Sequence, residues 1–157
     1  MLDLRKALNF QPDLICAVGN TEMSDVRLCQ ETMDAYAARR IDGALPVESV
    51  EQAEAAARVL QRHGARAVVI TMGAAGSLLL AGDQTQFIKP FTIAAVDTTA
   101  AGDAFAGALA VHWAKHDDLA QAACFANAAG ALAASREGAQ SSMATSGEIE
   151  ILLGNRK

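Results

Sequence analysis

The sequence predicts a layered α/β domain, and three features predict it. Two short continuous apolar runs, LICAV at Leu14–Val18 and AVVIT at Ala67–Thr71, suit strands covered on both faces. Between and after them, apolar residues recur at spacings of three and four, the helical period. Alanine supplies 35 of the 157 residues, and small side chains on that scale let helices pack closely.

The elements follow in order. Leu14–Val18 reads as a buried strand, and Glu22 to Arg40 as mixed and helical in part. Gly43 and Pro46 punctuate the chain before a helix within Val47 to His63. Val50, Ala53, Ala57 and Leu60 mark its apolar face, Ser49 and Gln52 have capping-box spacing, and Gly64 is placed to stop it. Ala67–Thr71 is the second strand. A turn through Gly73 to Gly76 leads to Ser77–Ala81, and Gly82-Asp83 turns the chain again. Gln84 to Ile88 alternates polar and apolar, as a strand with one exposed face does. Thr92 to Val96 is expected to form one more short strand.

The helical period returns at Ala101, with Phe105, Ala108, Leu109 and His112 near one face. Asp117 or Asp118 can cap a second helix with Leu119, Ala122, Ala123, Ala126 and Ala129 on its apolar side. Ser135 to Met143 is a loop, and Thr145 with Glu148 can form a capping box for a last helix over Gly147 to Leu153. Neither an internal repeat nor a dividing linker is seen, so residues 1–157 are expected to form a single α/β domain. Two consecutive helices after Val96 exclude a regular strand–helix–strand array.

Composition narrows the function. Eighteen acids against thirteen Lys and Arg give a formal charge of -5, which argues against a nucleic-acid surface but not against a small anion held by backbone N–H groups. Cys16, Cys29 and Cys124 form no CxxC pair, so neither a zinc knuckle nor a redox dithiol is expected, and reduced cysteines suit the cytoplasm. No apolar run approaches the ~18 residues of a membrane span, and the first ten residues lack a signal-peptide pattern. His63, His112 and His116 do not form a metal-ligand cluster, and His112 reads as a packed residue beside Trp113. Neither GxSxG nor GxxxxGK[ST] occurs.

The most informative segment is DTTAAGDAFAG, Asp97 to Gly107. It follows an expected strand and opens an expected helix. Ala100, Ala101 and Gly102 are small and leave the first amides of that helix accessible, where they can cradle an anion. Asp103 falls in the first turn, where a carboxylate is electrostatically favoured. An anion cradle beside a carboxylate suits phosphoryl transfer: amides stabilise the moving charge while the carboxylate takes a proton from the attacking hydroxyl. The plainer alternative is capping by Asp97, Thr98 or Thr99, with Asp103 a surface residue.

DTTAAGDAFAGALA resembles the DTTGAGD signature of the PfkB/ribokinase family of carbohydrate kinases. TMGAAGSLLL, Thr71 to Leu80, is similar to that family's strand–turn–strand segment. FANAAGALAASREGAQSS, Phe125 to Ser142, is similar to its C-terminal helix and following loop. The resemblance covers Ala65 to Leu153 well and the first forty residues poorly. It implies a three-layer ribokinase-like fold, limited here to its C-terminal, nucleotide-binding half, and ATP-dependent phosphorylation of a sugar or nucleoside hydroxyl. By the same resemblance Asp103 matches the catalytic base, and Ala100, Ala101 and Gly102 the anion hole. Thr71 and Gly73 match positions lining the nucleotide, and Asn127 one near the adenine. Asp97, Thr99, Ala133, Gly138 and Ser142 match the loop pair that holds a monovalent cation such as K+, mostly through backbone carbonyl oxygens, with Asp97 and Ser142 offering side chains, a donor set suited to a hard ion. ATP and Mg2+ are the implied cofactors.

Three departures from the family pattern bear on activity. Ala100 stands where the signature has glycine, a steric cost if that position needs φ > 0. In Gly19-Asn20-Thr21-Glu22-Met23, Asn20 falls in register with the family's Asn-x-x-Glu motif, but Met23 replaces the Glu that helps organise magnesium. The family's substrate-binding half has no counterpart in the resemblance. Impaired sugar-kinase activity for this chain alone, and association as a homo-oligomer or with a complementing chain, are therefore expected. A non-catalytic nucleotide-binding module is the alternative.

Overall fold

A computed structural model of the chain describes residues 14–18, 47, 49–62 and 65–155. A sheet of four strands lies between two helical layers. Its strands are β1 (Leu14–Val18), β2 (Ala67–Thr71), β3 (Ser77–Ala81) and β4 (Gln84–Ile88), arranged in the order β1-β2-β3-β4. β1 runs parallel to β2, with Val18 opposite Thr71. β2, β3 and β4 form an antiparallel meander in which Thr71 faces Ser77 and Ser77 faces Ile88.

Strand alternation divides the core. Val68, Ile70, Leu78 and Leu80 point to one face, where α1 (Val50–Arg62) covers them with Ala53, Ala57 and Leu60. The Ser49 hydroxyl accepts from Gln52 N–H at 3.2 Å, so the expected cap at this helix start is present. Val69, Leu79 and Ile88 point to the other face, against α2 (Ala101–His116) and α3 (Leu119–Ala134). Phe105 and Leu109 of α2 and Ala122, Ala123 and Ala126 of α3 complete that layer. The alanines let α3 lie close to both the sheet and α2. Asp118 rather than Asp117 caps α3, accepting from Gln121 N–H at 2.9 Å, while Asp117 takes the left-handed conformation that ends α2. The last helix, α4 (Ser146–Gly154), has the complete Thr145–Glu148 capping box and packs Ile149 against Ala128 and Ala129.

Two expectations need correction. Thr92 to Val96 forms no strand. Val96 N–H instead donates to the carbonyl of Ala134 at 2.8 Å, so this connector is held to the end of α3 rather than to a neighbouring strand. Gln84 to Gln86 and Phe87 are all exposed, not only on alternate faces, because β4 ends the meander and the helices scarcely reach over it. Cys124 is half-buried and forms no disulfide among the described residues. The expectations for Glu22 to Arg40, Cys29, His63 and Gly64 lie outside the described residues, and for Cys16 only the strand backbone is described. No described helix is long and apolar enough to cross a membrane.

Candidate phosphate-binding site

The first turn of α2 has no side-chain cap. Asp97, Thr98 and Thr99 precede it, yet none of their side chains bonds the helix amides. The Asp97 carboxylate is turned elsewhere. One oxygen accepts from Thr99 N–H at 3.0 Å and from the Thr99 hydroxyl at 2.6 Å, and the other from Gly138 N–H at 3.0 Å. The Thr99 hydroxyl, the Thr99 N–H and the Gly138 N–H together hold the Asp97 carboxyl below its ordinary range. Capping is thus displaced by a tie between two loops 41 residues apart in sequence.

The amides entering the helix are not equivalent. Ala101 N–H turns back to Thr98 O at 3.2 Å, and Ala104 N–H bonds Ala100 O at 2.9 Å. Gly102 and Asp103 N–H meet no acceptor among the described residues. They are orphan donors at the positive end of a helix of 16 residues. Asp103 is exposed, and its carboxylate has neither a hydrogen bond nor an ion pair among the described residues. An acid at this third helical position usually reaches back to the cap; here the cap is Ala100 and Asp103 remains available.

Ala100 has φ -106° and ψ 5°, a conformation open to any L-residue. Replacement of the signature glycine therefore introduces no backbone strain. The residue is 2% exposed, so its methyl is enclosed by protein.

The second expected loop of the site follows α3. Ala133 is buried, and its carbonyl accepts from Arg136 N–H at 3.1 Å, leaving one lone pair. Gly138 has φ +86°, and a Cβ there would lie 2.5 Å from the Ser141 hydroxyl, so the tight loop requires glycine. Ser142 is buried and donates to Ala139 O at 2.8 Å. Hydrogen bonds thus join Asp97, Thr99 and Gly138 directly, while Ala133 and Ser142 belong to the same loop without bonding them. Arg136 pairs with Glu148 at 2.6 Å.

Thr71 ends β2 and is buried. Gly73 opens a single 3-10 turn, Gly73–Ala75, with φ +55°. Three bonds close this turn: Met72 N–H to Gly76 O at 2.8 Å, Ala75 N–H to Met72 O at 3.0 Å, and Gly76 N–H to Gly73 O at 3.1 Å. A Cβ at Gly73 would touch nothing, so the space beside it is open. Asn127 is buried on α3 and donates to the carbonyls of Ile88 at 3.2 Å and Lys89 at 3.4 Å. Asn20 lies outside the described residues, as do Glu22 and Met23.

Sequence reasoning missed two glycines that set this geometry. A Cβ on Gly130 would lie 3.1 Å from the carbonyl of Ala101, so this glycine lets α3 approach the first residue of α2. A Cβ on Gly76 would run into the carbonyl oxygen of Ile88. Gly130 lay inside the FANAAG block and Gly76 inside TMGAAG, but neither spacing reveals which carbonyl is opposite. His112 is half-buried against Phe125, with ring centroids 4.7 Å apart, in keeping with a packed residue.

Comparison with known proteins places this arrangement. The model for the pfkB family of carbohydrate kinases matches residues 29–146. Ribokinase of Haemophilus influenzae is 36% identical over 99 residues, which are 63% of this chain and 32% of that protein. Ribokinase of Thermotoga maritima shares the fold at a TM-score of 0.70 and 31% identity, over 91% of this chain and 42% of that one. Arabidopsis thaliana ribokinase, solved with ribose and ATP, matches at a TM-score of 0.67 and 27% identity, over 90% of this chain and 40% of that one. The chain spans about a third of the length of curated relatives that it matches. With its ribokinase-like three-layer α/β fold, this chain belongs to the pfkB family of carbohydrate kinases.

Proposed function

We propose that this chain forms the nucleotide-binding, base-bearing part of an ATP-dependent carbohydrate kinase. The observation that carries the reading is the uncapped start of α2: two amides, Gly102 and Asp103, and beside them a carboxylate, none of which meets a partner among the described residues. ATP lies across Thr71, Gly73 and the Asp97–Asp103 loop, with Asn127 on the adenine side. The γ-phosphate rests at the Gly102 and Asp103 amides; of the matched anion hole, the Ala101 N–H is already given to Thr98 O.

Asp103 accepts the proton of a sugar hydroxyl as that oxygen bonds to the γ-phosphorus. The bond from the γ-phosphorus to the bridging oxygen breaks, and ADP leaves with that electron pair. The amides and the helix end stabilise the charge that builds on the transferring group. Magnesium, when bound with the nucleotide, neutralises phosphate charge, and Asn20 is the residue here matched to its surroundings. The loop pair of Asp97, Thr99, Ala133, Gly138 and Ser142 fits a monovalent cation: its donors are oxygens, and its backbone bend is set by a glycine with positive φ. Such an ion adds positive charge near the start of α2.

The acceptor is a sugar or nucleoside, held against Asp103 by polypeptide beyond the described residues, by a complementing chain or by a second copy. A cytoplasmic setting suits the reading, since ATP is available there. A second reading, a non-catalytic nucleotide-binding or oligomeric module, draws on the exposure of Asp103 and on Met23 at the family's glutamate position.

Calorimetry with Mg-ATP, followed by an ADP-release assay over a sugar panel, tests the proposal. Binding with turnover of one sugar supports the kinase. Binding without turnover, including in mixtures with a complementing chain, supports the module. No binding overturns both.

A further inference from the structure

The carbonyl of Ile88 is held from two sides. On one side Asn127 of α3 donates to it at 3.2 Å, and to the adjacent carbonyl of Lys89 at 3.4 Å. On the other side lies Gly76, so close that a Cβ there would run into the same oxygen and lie 3.0 Å from Pro90 N and 3.1 Å from Pro90 Cδ. Gly76 closes the Met72–Gly76 turn by giving its N–H to Gly73 and its carbonyl to Met72. Asn127, Ile88 and the turn therefore form one continuous contact.

The register explains the contact. Ser77, next to Gly76, pairs with Ile88 across β3 and β4 and with Thr71 across β2 and β3. Cross-strand partners share a sheet face. Ile88 packs in the layer formed with α2 and α3, so the Ser77 and Thr71 side chains lie on the α3 side as well. Thr71, Ser77 and Asn127 are three of the few buried polar residues in a layer built mostly from apolar side chains, many of them alanines. A buried carboxamide in such surroundings needs partners. Asn127 finds them in the backbone leaving β4.

We infer that Asn127 is a positioning residue: it fixes the Met72–Gly76 turn through the Ile88 carbonyl, and acts on a nucleotide through that turn rather than by reading the base. The inference rests on the proposed nucleotide site for its functional half only. The brace itself is a property of the fold. A residue touching adenine would discriminate between bases. A residue bracing the turn alters the affinity of every nucleotide alike.

Asn127→Asp keeps the volume but removes both donors, and Asn127→Ser shortens the uncharged side chain so that its hydroxyl falls short of both carbonyls. Thermal melting establishes that each variant is folded, and if the aspartate variant is not, the serine variant is read alone. Hydrogen exchange is followed at Met72, Ala75 and Gly76 N–H, the three bonds of the turn. Mg-ATP and Mg-GTP affinities are measured by calorimetry on the same samples. The brace predicts exchange faster by about tenfold at these amides, the consequence of losing the buried hydrogen bond from Asn127 to the Ile88 carbonyl. ATP and GTP affinity should fall together, their ratio staying within about twofold. Unchanged exchange at all three amides overturns the brace, and so does a shifted ATP/GTP ratio with the turn intact. If the wild-type chain binds neither nucleotide, the proposed site fails while the exchange measurement still decides the brace.

Discussion

Gly130→Ala tests whether α3 positions the start of α2. The new Cβ would lie 3.1 Å from the Ala101 carbonyl oxygen and 3.7 Å from Phe105 Cβ. Restoring an ordinary contact of about 3.5 Å requires the first turn of α2 to retreat by roughly 0.3–0.5 Å. Overpacking of this kind costs about 1–3 kcal/mol, while alanine is favoured over glycine inside a helix by about 1 kcal/mol. The net loss of stability is then about 0–2 kcal/mol, small enough for the fold to persist. The functional effect is larger in proportion. If a 1 Å misplacement costs about 100-fold, a shift of this size costs about 4–10-fold. Gly107→Ala is the control, because a Cβ there meets nothing within 4 Å. It should stabilise the protein by up to about 1 kcal/mol and leave nucleotide affinity unchanged. Urea denaturation gives the first quantity and Mg-ATP calorimetry the second. A Gly130→Ala protein that gains as much stability as the control and binds Mg-ATP as the wild type does would refute the reasoning.

Other expectations follow from the same structure. Gly76→Ala places a methyl against the Ile88 carbonyl at φ +100°, and combined strain and overpacking should destabilise the protein by about 2–5 kcal/mol in urea titration. Glu148 accepts from Thr145 N–H, from Arg136 and from the Thr145 hydroxyl, and these bonds hold its carboxyl at about 2. A depressed carboxyl contributes stability that is present above its ordinary value of 4.5 and disappears as pH falls toward 2, so Glu148→Gln should flatten the acid limb of a stability–pH curve across that window. Asp103→Asn in an assembled, active kinase should reduce phosphoryl transfer by about 10²–10⁴-fold while retaining Mg-ATP affinity. Undiminished transfer would remove Asp103 as the base.

Much of the fold was legible because its signals are local. Ala67–Thr71 and Ser77–Ala81 are buried strands, read from runs too apolar to face water. The Thr145–Glu148 box and the Asp118 cap depend on neighbours three residues apart. Thr92 to Val96 has strand-like composition, yet Val96 is drawn to Ala134, a partner that no local pattern identifies. The site divides the same way. The DTTAAGD segment and its helix start were evident, whereas the removal of Asp97 from the capping role depends on Gly138, 41 residues away. The conformation of Ala100 was undecidable from residue type, since alanine is compatible with the signature only if φ is negative, as it is. Gly76 and Gly130 are needed because of opposing carbonyls brought up by tertiary packing.

The central claim is that a phosphate group meets the backbone at Gly102 and Asp103. A Mg-ATP titration of the isotope-labelled protein, followed by amide proton and nitrogen shifts, tests it most directly. The account predicts saturable changes that are largest at Gly102 and Asp103, with Gly73 moving along the same binding curve. Saturable binding that leaves those two amides unmoved, or no binding at millimolar Mg-ATP, would contradict it.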